Sequence, residues 1–133
     1  MNKHLHSLLL RYPLLETCRG DIEKTFLILH DCFKAKGKLL LCGNGGSATD
    51  CDHIAGELLK GFGKTRSLPL QWRKKLKNRL VGNLQGALPA IPLHCITGFL
   101  TAYINDCNPA YIYAQATWAL GQPNDVLFCI STS

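Results

Sequence analysis

Three short apolar runs, at 38–42, 88–93 and 126–130, alternate with segments of helical period. That order (helix, strand, helix, strand, helix, strand) is the signature of an α/β fold on a parallel sheet. Apart from Lys38 at the head of the first, the runs are apolar, without the in–out alternation of a half-exposed strand, so both sheet faces are expected to be covered by helices. Two of the runs end in sequence rich in glycine or hydroxyls: Gly43-Asn44-Gly45-Gly46-Ser47 after the first and Ser131-Thr132-Ser133 after the third. Ligands of open parallel sheets bind beyond the carboxyl ends of the strands, so function is expected at these two places.

Each element has its own signal. Residues 21–33 space Ile22, Phe26 and Leu29 along one side and are bracketed by Gly20 and Gly37, with Lys34 and Lys36 near the end where the helix dipole favours cations. The strand over 38–42 stops at glycine. Residues 47–60 place Ala48, Cys51, Ile54, Ala55 and Leu58 on one side of a helix, and 69–80 read as a basic helix. Pro89 and Pro92 confine the second strand to its ends or to a sheet edge. Residues 96–104 and 109–120 read as helices, the latter with proline at its start. Residues 121–125 form a turn cluster before the last strand. No internal repeat or low-complexity segment interrupts this order.

The chain has 133 residues, 47% of them hydrophobic and 18% charged. Its mean hydropathy is +0.04. These values suit one domain over 1–133, with a helical segment over about 1–37 and an α/β core over 38–133, and exclude a disordered chain. No apolar run is long enough to span a membrane, and Leu8–Leu10, broken by Arg11 and Pro13, is too short for a signal-peptide core, so a cytoplasmic protein is expected. The seven cysteines include no C-x-x-C pair, and several lie inside apolar runs; they read as reduced thiols used as small core residues. The net charge is +6, and eight of the 15 basic residues fall within 60–79, while no acid occurs from Leu58 to Asn105. Such a field suits a solvated helix face, a phosphorylated small molecule or nucleic acid.

A strand that turns through glycines into a helix presents bare backbone N–H groups at the positive end of a dipole. Ser47 is placed to cap that helix and to bond an anion. The three hydroxyls at 131–133 offer a second cup. Together they point to a phosphate or a polyhydroxylated ligand. Gly43 to Ala48 also satisfies G-x-G-x-x-A, but the acid that a dinucleotide ribose needs about 20 residues on is missing, so a nicotinamide dehydrogenase is not expected. Gly63-Lys64-Thr65 lacks the upstream glycine of a phosphate-binding P-loop. Further along the glycine-initiated helix stand His53 and Glu57, four apart and so on one face. The pair can hold a divalent metal, seat a carboxylate base beside a hydrogen-bonding neighbour, or be a plain surface pair. Asp50 is expected in the first helical turn, in a structural role toward the dipole.

The run from Cys42 to Leu58, Cys-Gly-Asn-Gly-Gly-Ser-Ala-Thr-Asp-Cys-Asp-His-Ile-Ala-Gly-Glu-Leu, resembles the signature of the sugar isomerase (SIS) domain of phosphoheptose isomerases. Ala87-Leu88-Pro89-Ala90-Ile91, Asn105-Asp106, Ala119-Leu120-Gly121 and the stretch from Asp125 to Ser133 follow in the family's order. The resemblance runs from about Phe33 to the last residue. It implies an SIS-type, flavodoxin-like doubly wound sheet, incomplete at the C-terminus. It also implies an aldose–ketose isomerase converting sedoheptulose 7-phosphate to D-glycero-D-manno-heptose 7-phosphate through an enediol. By position Asn44, Gly45, Gly46 and Ser47 would line the sugar, Ser131, Thr132 and Ser133 would hold the phosphate, and Asn105 and Asp106 would complete the pocket. His53 and Glu57 match the family's zinc ligands, one ion per site, and Glu57 also matches its proton-transferring carboxylate. The family assembles as homotetramers with shared sites.

Three departures qualify the resemblance. Residues 62–85 are longer and more basic than in the best-known members and match a longer-loop branch suited to another sugar phosphate. The sequence stops where the family continues with Gly-Asn-Ser and a later glutamine and histidine that complete the zinc site. The chain alone is therefore expected to be poorly soluble, because its last strand becomes an apolar edge, and to have little or no isomerase activity. Finally, Thr97-Gly98-Phe99-Leu100 offers few polar groups where the family has hydroxyls. The competing readings are a non-catalytic SIS sugar-phosphate binder, such as the adaptor that associates with the bacterial replication initiator, or an inactive fragment. Retention of His53 and Glu57 favours the enzyme. Nucleic acid is not the expected partner, since only Trp72 could stack within 60–79 and no nucleic-acid motif is present.

Overall fold

Three leucines at 39–41 have almost no exposure, and they form the middle of the sheet. The structure is a computed structural model describing residues 3–132. Strand β1 (Leu39–Cys42) lies between β2 (Ala90–Pro92) and β3 (Val126–Cys129), parallel to both, in the order β2-β1-β3. Helix α3 (Gly46–Leu59) joins β1 to β2. Helices α6 (Thr97–Asp106) and α7 (Ile112–Leu120) join β2 to β3. One crossover therefore steps to one side of β1 and the next steps back across it. Right-handed crossovers then place α3 on one sheet face and the α6–α7 pair on the other. Leu40 and Cys42 pack with Leu93 and Ala116, and with Phe99, Tyr113 and Leu120 around them. Leu39 and Leu41, pointing the opposite way by strand alternation, meet the α3 face, where Cys51 and Ala55 are buried.

The chain divides into two compact units, one up to Asp31 and one from Cys32 onward. In the first, α1 (Lys3–Arg11) buries Leu5 and Leu9, four apart, and a 3-10 turn over Pro13–Cys18 follows with its proline at the start. Helix α2 (Arg19–Lys34) accounts for the periodicity read over 21–33. Arg19 pairs with Glu16 at 3.0 Å and Glu23 at 3.7 Å on the surface, contacts of little energetic weight.

The basic helix expected over 69–80 is broken. Only α4 (Leu70–Arg73) and α5 (Asn78–Val81) form, with Lys77 extended between them. Arg73, Lys74, Lys75, Lys77 and Arg79 have no acid within helical reach in sequence, so like charges repel along the segment. Leu70, Trp72 and Leu80 stay substantially exposed, so no packing offsets that repulsion. Lys75 instead lies over the Trp72 ring at 5.7 Å. The helix expected over 109–120 begins as a 3-10 turn, Pro109–Tyr111, capped by the Asn108 side chain accepting from the Ala110 N–H at 3.0 Å.

The cysteines divide. Cys32, Cys42 and Cys51 are buried as expected of core thiols, but Cys95, Cys107 and Cys129 are exposed. Cys129 is exposed because β3 occupies a sheet edge, where burial alternates residue by residue and Leu127 keeps 46% of its surface in solvent. No helix among the described residues is long and apolar enough to cross a membrane.

Candidate functional site

Strands β1 and β3 run parallel and in register, with Cys42 opposite Cys129, and the Ile130 N–H donates to the Cys42 carbonyl at 2.9 Å. Residues 43 and 130 therefore leave the sheet side by side, about 5 Å apart, each leading directly into its junction. The glycine junction and the hydroxyl junction share one edge, as the topology requires. Ser131 and Thr132 are exposed there, and Ser133 lies outside the described residues.

Two glycines shape the first junction. Gly45 is the N-cap of α3 with φ 56° and ψ −125°, a conformation a side chain would strain. A Cβ on Gly43 would stand 2.9 Å from the backbone and Cβ of Ser47, so the turn closes only without one. Ser47 does not cap the helix as the sequence suggested. It lies inside the first turn, 7% exposed, and Gly45 takes the cap because only glycine fits that backbone. The Ser47 and Ala48 N–H groups fold back onto the carbonyls of Asn44 and Gly45, both at 3.1 Å. Among the described residues the Gly45 and Gly46 N–H groups make no backbone hydrogen bond, as is usual for the first N–H groups at a helix N-terminus. Asp50 falls beyond the first turn, which contains no acid, so the dipole role expected of it does not apply.

Sequence reasoning missed Tyr113, in the first turn of α7. Its hydroxyl donates to the Gly43 carbonyl at 2.7 Å and lies 2.9 Å from Asn44 Oδ1. It thereby fixes both the turn and the Asn44 side chain. Burial pushes the phenol pKa up, with Cys42 and Cys51 adding to the shift, so the hydroxyl keeps its proton as a donor. The signal was a polar-tipped aromatic at a helix start near a strand end, which is too general to single out. Asn105 and Asp106 are exposed at the last turn of α6, just before the chain turns into α7. Phe99 packs with the core cluster, which accounts for the apolar character of 97–100.

His53 Nε2 lies 3.3 Å from Glu57 Oε1, both on the exposed side of α3. At 1.5 Å per residue, they stand about 10 and 16 Å along the axis from the helix start. The structure thus brings Asn44, Gly45, Gly46 and Ser47 together with Ser131 and Thr132, and sets the His53–Glu57 pair farther down the same helix. A second cluster was not foreseen. Asp52 Oδ1 lies 3.0 Å from His94 Nε2 and accepts from the Cys95 thiol at 3.1 Å. Cys95 and then His94 hold the Asp52 carboxyl below the usual carboxylate range, and the same bond to Asp52 raises the Cys95 thiol.

A parallel α/β sheet with two strand ends that leave it side by side, one into a glycine turn and one into a run of hydroxyls, defines an open α/β fold of the class whose ligands, where bound, lie beyond the carboxyl ends of the strands. Known proteins make that class specific. A phosphoheptose isomerase from Shewanella frigidimarina is 36% identical over 118 residues, which is 89% of this chain and 50% of the relative. One from Campylobacter jejuni is 37% identical over 118 residues, 89% of this chain and 53% of the relative. Among solved structures, phosphoheptose isomerase from Neisseria gonorrhoeae superposes with a TM-score of 0.60 at 27% identity, covering 96% of this chain and 60% of that one. The phosphoheptose isomerase from Francisella tularensis gives 0.65 at 28%, covering 84% and 49%. No family model matches. Over most of its length the chain is similar to phosphoheptose isomerases, and it spans about half the length of the curated relatives it matches.

Proposed function

We propose that this chain binds a seven-carbon sugar phosphate and carries the base of an aldose–ketose isomerisation, sedoheptulose 7-phosphate to D-glycero-D-manno-heptose 7-phosphate. The observation that carries the reading is the adjacency of the two junctions in a chain whose relatives are phosphoheptose isomerases. In this reading the Gly45 and Gly46 N–H groups and Asn44 orient the sugar, with Ser47 shaping the turn beneath it. Ser131, Thr132 and Ser133 take the phosphate, and Asn105 and Asp106 close the pocket. Isomerisation moves a proton between C1 and C2 through a cis-enediol, which needs one carboxylate on one face of the substrate.

Glu57 is that carboxylate. Its Oε1 faces His53, which leaves Oε2 to take the proton. The pair also fits zinc. Two ligands near 2.1 Å from a tetrahedral ion stand about 3.4 Å apart, and His53 Nε2 and Glu57 Oε1 are 3.3 Å apart. His53 and Glu57 would hold the ion, which would polarise the substrate carbonyl when bound. Their exposure, and their distance from the junctions along α3, suit a site shared between the subunits of a homotetramer. A cytoplasmic setting accords with a sugar-phosphate substrate.

Calorimetric titration of the chain with sedoheptulose 7-phosphate is expected to show binding that weakens at least tenfold in Gly45→Ala, whose added Cβ strains the cap at positive φ. Complete isomerisation is expected to be weak or absent in this chain, but in deuterated water the base is expected to exchange the substrate proton next to the carbonyl slowly, and Glu57→Gln to bind the sugar but lose that exchange by about 10²–10⁴-fold. Absence of binding sinks the reading. Binding without exchange favours a non-catalytic sugar-phosphate binder of the same fold.

A further inference from the structure

We propose that Asp52, His94 and Cys95 form a second metal site, for a borderline transition-metal dication of the zinc or cobalt(II) type, separate from the His53–Glu57 pair. Three chemically different donors converge from two distant segments. Asp52 comes from the middle of α3, and His94 and Cys95 come from the 3-10 turn Leu93–Cys95 that immediately follows β2. One atom from each, the carboxylate oxygen, an imidazole nitrogen and the thiol sulfur, lie within 4.8 Å of one another. A tetrahedral ion with bonds of 2.0–2.3 Å needs donor separations of about 3.3–3.7 Å. The 3.0 and 3.1 Å contacts to Asp52 Oδ1 would open by only a few tenths of an ångström to admit one.

The turn that presents the donors is anchored. Leu93 is completely buried in the core, and the His94 side chain is 17% exposed. The Asp52 side chain is half exposed, which leaves an entry path and a fourth position for water. Carboxylate, imidazole and thiolate together neutralise a dication and match borderline metals better than magnesium or calcium. On coordination, the Cys95 proton leaves to solvent and sulfur bonds the metal. His94 Nδ1 is buried without a partner, so it has no acceptor for the ring proton that metallation at Nε2 places there. The lack of a hydrogen-bond acceptor behind the ring is expected to weaken the site by about 10–100-fold relative to one that has it. The face is also distinct: Asp52 is rotated about 100° around the helix from His53 and about 140° from Glu57.

Cobalt(II) tests this directly, because only the new site contains sulfur. Titration of the metal-free full chain is expected to give a thiolate-to-cobalt charge-transfer band with tetrahedral d–d absorption, saturating at one equivalent for that band. Cys95→Ser should abolish the band, and Asp52→Asn, at an exposed helix position, should weaken it at least tenfold. The double variant His53→Gln/Glu57→Gln should retain it. Absence of the band in the parent chain, its survival in Cys95→Ser, or an undiminished band in Asp52→Asn overturns the proposal. Sugar-phosphate binding is read separately, so either proposal can fail without the other.

Discussion

Leu41→Ala is expected to cost about 3–4 kcal/mol of folding stability, and Leu127→Ala less than about 1 kcal/mol, although both remove the same atoms from the same sheet. Leu41 is completely buried in the central strand, between Pro92 on one neighbour and Phe128 on the other. Its side chain faces α3. Truncation there leaves a cavity walled by strands on both sides, which cannot collapse without shifting the sheet. Leu127 sits on the edge strand and already keeps 46% of its surface in water, so little transfer energy is lost. Against a total of about 5–15 kcal/mol for a typical domain, the Leu41 change removes a large share. Urea unfolding followed by tryptophan fluorescence, with Trp72 and Trp118 both in the second unit, reads the difference as a fall in midpoint at constant slope. Equal costs at the two positions would contradict the strand order β2-β1-β3.

The same contrast explains what the sequence could show. A strand buried on both faces has no room for polar residues, so β1 announced itself as an unbroken apolar run, and the runs around it fixed the parallel architecture. The run at 126–130 has the same composition but lies at the edge. Composition alone does not separate a central strand from an outer one; the edge position was expected from the family resemblance, but the reading of the cysteines as core thiols did not carry it through to Cys129, which is exposed. The 69–80 segment failed for a different reason: its period is helical, but its charges have one sign and its apolar residues find no partner. At the site, glycines with a backbone requirement were legible because few other residues can stand at φ 56°. The cap assigned to Ser47 went instead to Gly45, a difference of two residues that preference tables do not resolve. Tyr113, His94 and Cys95 were illegible because each acts through a partner distant in sequence. His94 meets Asp52 across 42 residues, and Tyr113 meets Gly43 across 70. Nothing local marks either member of such a pair.

Asp125 is the other residue whose importance lies in distant contacts, and its replacement by asparagine is expected to cost about 2–3 kcal/mol at neutral pH. The carboxylate joins the start of β1 to the turn before β3. Oδ1 accepts from the Lys38 N–H at 2.8 Å, and Oδ2 accepts from the Gln122 N–H at 2.7 Å and pairs with the Lys38 ammonium. The Val126 N–H donates to the Lys38 carbonyl at 3.1 Å, continuing the ladder from this latch. Backbone closeness holds it rigid: a Cβ on Gly37 would meet the Asn124 carbonyl oxygen at 2.2 Å. The Asp125 side chain is only 8% exposed and that of Lys38 22%, so an amide at 125 would leave the ammonium facing an N–H₂ group with little water to replace the charge. Burial pushes the Asp125 carboxyl up, but the Lys38 ammonium and the Lys38 and Gln122 N–H groups outweigh it, and the folded pKa lies below its usual value. A depressed folded pKa means that the stabilisation is fully present above the unfolded value of about 3.9 and is lost as pH falls through the folded pKa. The stability gap between the parent chain and Asp125→Asn should therefore be flat from about pH 5 to 8 and shrink below about pH 4. Taking the difference between the two chains cancels the other carboxylates that titrate in the same range. Urea midpoints measured from pH 2.5 to 7 check this. A gap that persists undiminished at the acid end would show that the charge on Asp125 does not hold the two strands together.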